Sequence, residues 1–211
     1  MNNNQMRNIT APGAAGIGIV VRSWLPEKKS CLIFDRSCGL IRGIICRPGS
    51  ERHIQHGALV SYELSLRGER TFVDQVELHA LPAPWARTDL AFMHHVLELC
   101  ASFLPLNVAD RQLFGHILGL YEPLIDEQDQ VWVRLVFLAQ FFLHIGWYPD
   151  EDTRAINRLI SHVSGTMVTV REQDSMRRSL VRWLRRCVAL HPLASSFKTV
   201  TFFEVVGYHE T

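Results

Sequence analysis

The chain has 211 residues, 47% of them hydrophobic, and 22 basic against 21 acidic side chains give a net charge of +1 at pH 7. That is enough apolar material for one or two compact domains, so an ordinary folded, soluble protein is expected and a disordered chain is excluded. Five cysteines, odd in number and without paired spacing, argue against a disulfide framework and for a reducing, cytoplasmic setting.

The start, MNNNQMRNITAPGAAG, is polar, contains no apolar signal core, and reads as a disordered leader over residues 1–15. Charge is unevenly spread beyond it. Residues 16–72 carry nine basic and five acidic side chains, residues 73–152 three and twelve, and residues 153–211 nine and four. The order is basic, acidic, basic, and local fields of this kind, rather than the total, attract polyanions.

From Gly16 to about Leu81, short bursts of Ile, Val, Leu and Phe alternate with polar residues between Pro and Gly punctuation. Strands are expected at Gly18–Trp24, Cys31–Asp35, Leu40–Cys46, Ala58–Leu66 and Thr71–Leu78. Five strands in so short a span predict a small barrel, either of the oligonucleotide-binding (OB) type or SH3-like. From Pro82 the period becomes helical, so the fold class is α+β: a barrel over residues 16–81 and a helical domain over 82–211. The first helix starts at a Thr88 or Asp89 cap with the stripe Leu90, Met93, Leu97 and Ala101. Helices are expected next at Asp110–Tyr121, Asp129–Ile145 and Asp152–Ser164. A β-like stretch, Met167–Arg171, precedes a strong helix at Asp174–Leu190, and Ser195–Val206 reads equally as strand or helix. The most apolar window, Val131–Tyr148, is broken by Arg134, Gln140 and His144, is too short for a membrane span, and reads as a buried helix.

Two groups of basic residues stand out. In the β segment Arg22, Lys28, Lys29, Arg36, Arg42, Arg47, Arg52, Arg67 and Arg70 fall near strand ends or on alternate positions, interleaved with Trp24, Phe34, Tyr62 and Phe72. Such a mixture suits single-stranded nucleic acid, whose backbone follows cations and whose bases stack on aromatic faces. It equally suits aromatics that fill a barrel and cations that keep it soluble. On the last strong helix, a 100° step puts Met176, Leu180, Trp183, Leu184 and Cys187 on one side and Arg178, Arg182, Arg185 and Arg186 on the other. That stripe fits phosphates, and it also fits a solvated helix face or a partner for the acidic middle segment.

Signals for chemistry are thin. His95 and Glu98 have an i, i+3 spacing that would seed a metal site, but further ligands are missing. Cys31, Cys38 and Cys46 have gaps unlike a C-x-x-C knuckle, and a hairpin would put Cys38 at its tip, away from the other two. The sequence has no G-x-S-x-G, G-x-x-x-x-G-K-[ST] or H-E-x-x-H motif. A non-enzymatic protein without cofactor or metal is the expectation.

Three stretches, in order, resemble the bacterial recombination mediator family RecO. In GIVVRSWLPEKKSCLIFDRSCGLIRGII, Glu27 and Gly39 match the family's opening pattern of acidic turn, apolar strand and strand-opening glycine. VRLVFLAQFFLHIGWYPD is similar to its helix ending in L-G-Y-x-P, and WLRRCVALHPLASSFKTVTFF to its closing segment through Pro192, Leu193 and Ser195. Three departures accompany these matches. Cys46 stands where a basic residue is usual and Glu51 adds a negative charge to the loop CRPGSERH; Ala194 replaces the usual lysine. The four zinc-binding cysteines of many members are missing, since no cysteine lies between Tyr148 and Arg186.

The resemblance implies an OB-fold barrel followed by a helical domain. It implies binding of single- and double-stranded DNA, annealing of complementary strands, and loading of the RecA recombinase together with the partner RecR, in the cytoplasm at the nucleoid and not at a membrane. It further implies recognition of the acidic C-terminal tail of single-stranded DNA-binding protein by the helical domain, where Arg134 lies within about one position of a basic residue of the family. The DNA-binding candidates are Arg22, Lys28, Lys29, Arg42, Arg47, Arg52, Arg178, Arg182, Arg185 and Arg186. The thinned basic loop and acidic middle keep open a second reading, a protein-interaction adaptor on the same scaffold without dependence on DNA.

Overall fold

A computed structural model describes residues 14–26, 28–46, 49–82, 90–122, 130–149, 153–163 and 170–198. Five strands, β1 (Ala14–Ser23), β2 (Ser30–Asp35), β3 (Gly39–Ile45), β4 (Leu59–Arg67) and β5 (Arg70–Ala80), close into a barrel in the order β1-β2-β3-β5-β4. β1 is shared between β2 and β4, and β3 pairs with β5 in parallel while the other pairs are antiparallel. This Greek-key order is that of the OB fold, which settles the alternative that strand number left open.

Alternation explains the barrel's interior. Along β4, Val60, Tyr62 and Leu64 point in, and they meet Val20, Ile33, Ile41 and Val73 in one buried cluster. β2 is buried from Cys31 to Asp35 because both its faces are covered: Cys31 and Ile33 face the interior, while Phe34 packs outside against Phe114, ring centroids 5.7 Å apart. Two glycines set the geometry of the β2–β3 hairpin. Gly39 has φ +78°, and a side chain there would lie 2.0 Å from the Val108 carbonyl oxygen; a methyl on Gly43 would lie 2.3 Å from Val73 Cγ2. Asp35 caps the hairpin. It is 1% exposed, accepts from the Ser37 and Cys38 backbone N–H groups, and accepts from the Tyr62 hydroxyl.

Five α-helices follow among the described residues: α1 (Leu90–Phe103), α2 (Arg111–Leu118), α3 (Gln130–Ile145), α4 (Thr153–Val163) and α5 (Val170–Ala189). The α1 stripe differs from the expected one. Phe92, Met93, Val96, Leu97, Leu99 and Cys100 are buried and Leu90 is exposed, because α1 turns a wider face onto β1. The proposed Thr88 or Asp89 cap lies outside the described residues. Asp110 caps α2 by accepting from the Leu113 N–H at 2.9 Å, and Gly119–Tyr121 continues it as a 3-10 turn. Gly146, at φ +68°, ends α3 in a Schellman motif, with its N–H on Leu143 O and the Trp147 N–H on Phe142 O.

α5 begins at Val170, so Val170 and Arg171, expected as β-like, are helical; the β preference of one β-branched residue yields to the long helix that follows it. Met167–Thr169 fall outside the described residues. Of the ambiguous Ser195–Val206 stretch, Ser195 and Ser196 belong to a 3-10 turn that begins at Ala194, and residues 199 onward lie outside the description.

Contacts divide the chain into two compact units after Leu124. Strand gives way to helix near residue 82, but α1 and α2 belong to the unit that contains the barrel. In the second unit α3 packs on α5, burying Leu135, Leu138 and Phe142 from one helix and Leu180, Trp183 and Leu184 from the other. Among the described residues no helix is long and apolar enough to cross a membrane.

Candidate nucleic-acid interface

The outer wall of β1, β2 and β3 carries a site whose existence depends on a single irregularity. Val20 pairs with Ile33 and points into the barrel; in a regular strand Arg22, two residues on, would point in as well. The register shifts by one residue between Val20 and Arg22, so Arg22 pairs with Leu32 on the outside. A bulge of this kind re-aims every residue after it. Without it a guanidinium would enter the barrel core.

Paired residues share a face, so the register builds two adjacent rows on this wall. Arg22, Leu32 and Arg42 form the first. In the second, the Trp24 backbone N–H donates to Ser30 O, Ser30 pairs with Ile44, and Ile44 pairs with Phe72 on β5. Cations cover both aromatic ends: Arg22 Cζ lies 5.3 Å and Arg42 Cζ 5.2 Å from the Trp24 ring centroid, and Arg67 Cζ lies 5.0 Å from that of Phe72. Trp24 and Phe72 are half-buried and the three arginines exposed. Three strand spacings separate the two rings, roughly 14 Å.

Lys28 and Lys29 lie exposed in the β1–β2 turn beside this wall, and the Lys29 carbonyl accepts the Ile45 N–H at 2.8 Å. Arg67 and Arg70 flank the β4–β5 turn at its other side. The wall and these two turns are the surface that OB folds use for oligonucleotides. Arg52 stands apart, in a 3-10 turn of the β3–β4 connection that packs on β5, with its Nε donating to His53 Nε2 at 3.2 Å. Arg47 lies outside the described residues.

In the second unit, Arg178, Arg182 and Arg185 are exposed along α5 and Arg186 is half-buried, opposite buried Leu180, Trp183, Leu184 and Cys187. The expected amphipathic split is thus present. Arg134 is half-buried on α3.

The other sequence candidates divide by environment. Tyr62 and Phe34, two of the four barrel aromatics, are core residues, leaving Trp24 and Phe72 for the surface. Burial, with the Asp35 charge beside it, pushes the Tyr62 phenol far above its ordinary range. Burial likewise raises the Cys31 thiol from 9.0 to about 12, and burial with the Asp35 charge raises Cys38 to about 11. Cys46 is exposed at the end of β3. Among the described residues no group of three or more His, Cys, Asp or Glu side chains is placed to hold a metal ion; the His94 ring instead meets His56 edge-on at 6.1 Å.

Arg67 stands among the basic residues noted in the β segment but not among the DNA-binding candidates, and the pairing of Arg22 with Trp24 was not part of the sequence reading. The i, i+2 spacing of Arg22 and Trp24 is a signal that both share a face; nothing in spacing reveals that Arg42 joins them. The chain matches no protein-family model and no curated protein.

Proposed function

We propose that this chain is a non-enzymatic DNA-binding protein whose barrel wall holds single strands. The observation that carries the reading is Trp24 with Arg22 and Arg42 at its ring, in line with Phe72 and Arg67 on the oligonucleotide face of an OB-type barrel. Cations along such a face attract the phosphate backbone and release counterions, while the aromatic ends suit unstacked bases. Double-stranded DNA offers the same phosphates to the same cations, with the α5 arginines as a further cationic surface.

The resemblance to the RecO family extends this reading to recombinational repair. Complementary strands held on cationic surfaces repel each other less, and modest affinity lets them exchange and zip. No bond is made or broken, and no cofactor is required. With RecR as partner the protein would load RecA at the nucleoid. The acidic tail of single-stranded DNA-binding protein would meet the helical unit at Arg134, where a cation beside apolar side chains suits an aromatic carboxylate terminus.

The test is a fluorescence-anisotropy titration of labelled single-stranded oligonucleotide with the native chain and with Arg22→Ala/Arg42→Ala. Each phosphate contact with a single strand contributes ~0.7 to the salt exponent, so losing two weakens binding by about 25-fold at 0.1 M salt. Equal affinity of the two proteins contradicts the reading.

A further inference from the structure

The arrangement around Trp24 is more specific than a cationic face. The Cα atoms of Arg22 and Arg42 both stand opposite Leu32, on either side of it, two strand spacings or ~10 Å apart. Both guanidinium groups nevertheless lean toward one ring, at 5.3 and 5.2 Å from its centroid. Two like charges would splay apart in water if nothing held them. Among the described residues neither has a carboxylate partner, so the indole is what they converge on.

Trp24 is itself positioned. Its backbone N–H donates to Ser30 O at 3.0 Å, its backbone carbonyl accepts the Lys28 N–H at 2.7 Å, and the Ser23 backbone N–H next to it donates to His56 Nε2 at 3.1 Å, which fixes the main chain from which the indole projects. A guanidinium that lies against a ring offers the ring its face and keeps its N–H donors around the edge. Those donors remain open to phosphate oxygens, which take them in charge-assisted bonds.

We infer that Trp24 is a positioning residue: it holds Arg22 and Arg42 as a preset pair that grips two phosphates of one strand, rather than serving as the platform on which a base stacks. This rests on the DNA-binding reading above and assigns within it what each side chain does. Base stacking on the wall then falls to Phe72 and to the exposed guanidinium faces. The ligand feature recognised at Trp24 is the sugar–phosphate backbone, without regard to base.

The experiment compares two probes of equal length, an oligo-dT strand and a base-free deoxyribose-phosphate strand, each titrated against the native chain, Trp24→Ala and Trp24→Phe. Circular dichroism checks that each variant is folded, and Trp24→Phe, which keeps a smaller ring, guards against an uninformative truncation. The expected result is a loss of roughly tenfold in Trp24→Ala, the size of two exposed cation–aromatic contacts, equal for both probes and mostly restored in Trp24→Phe. Arg22→Ala should then cost less in the Trp24→Ala background than in the native chain, because the pair is already unset. A loss confined to oligo-dT, with the base-free strand unaffected, overturns the inference and makes Trp24 a stacking platform. Loss of binding in Arg22→Ala/Arg42→Ala with none in Trp24→Ala overturns the inference alone. No salt-sensitive binding of either probe by the native chain overturns the DNA-binding reading and the inference with it.

Discussion

Tyr62→Phe removes one hydroxyl and nothing else from the barrel interior, which makes its cost calculable. The hydroxyl donates to Asp35 Oδ2 at 2.5 Å, while Asp35 Oδ1 accepts from Ser37 and Cys38 N–H at 2.6 and 2.7 Å. Asp35 is 1% exposed, so solvent has little access to replace the lost donor. A hydrogen bond to a charged group contributes about 1.5–3 kcal/mol, and the ring of Phe fills the same space, so a loss of about 2 kcal/mol is expected. At tenfold per 1.4 kcal/mol that is roughly 30-fold faster exchange of the slowest barrel amides. Hydrogen exchange read by mass spectrometry on peptides from β1 and β2 measures it directly, without requiring the two units to unfold together. Asp35→Ala should cost more, since it strips the acceptor from all three donors; Asp35→Asn should cost less, since one oxygen remains for the two turn amides. Unchanged exchange in Tyr62→Phe, or Asp35→Asn costing more than Asp35→Ala, would refute the reasoning.

Gly43→Ala forces a methyl to 2.3 Å from Val73 Cγ2 where β3 meets β5. A loss of ~1–3 kcal/mol in barrel exchange is expected, largely recovered by adding Val73→Ala; no recovery would mean the clash is elsewhere. Replacing Arg178, Arg182 and Arg185 together by Ala should lower the salt exponent for single strands by up to ~2 and slow strand annealing, and unchanged binding would remove α5 from the interface. Thiol labelling at neutral pH should find Cys46 first, since it is exposed, whereas buried Cys31 and Cys100, both held up to about 12, should react only as the chain opens. Because the folded state raises the Cys31 thiol above 9.0, its contribution to stability is full below pH 9 and is lost as pH rises toward about 12. An alkaline unfolding profile that Cys31→Ser leaves unmoved in that window would count against it.

Much of this fold was legible because its signals are local. Pro and Gly punctuation and period-2 runs located all five strands, β1 alone extending well beyond its expected start, and the arginine spacing on α5 gave its exposed face. Strand order was not legible, since the β3–β5 pairing joins residues almost thirty positions apart and leaves no periodic trace. The candidate site was hidden for a related reason. Strict alternation puts Val20 and Arg22 on one face; only the bulge, a consequence of tertiary pairing, separates them. Likewise Trp24 and Tyr62 look alike as aromatics in β-like runs. One sits in the second row of the outer wall, the other points inward to Asp35, and the difference comes from register. The last long helix starts at Val170, four residues ahead of the Asp174 start expected from its pattern, because a β-branched residue at the boundary favours strand locally while the helix that follows carries it along.

The central claim is that the barrel wall binds single-stranded DNA through its cations. A titration of labelled oligo-dT with the native chain at 50 mM and 200 mM salt tests it most directly. If Arg22, Arg42, Lys28 and Lys29 each neutralise one phosphate, the exponent is about −2.8 and affinity falls roughly fiftyfold between the two conditions. Binding that is absent at 50 mM, or equal at both, would contradict the account and favour an adaptor that works without DNA.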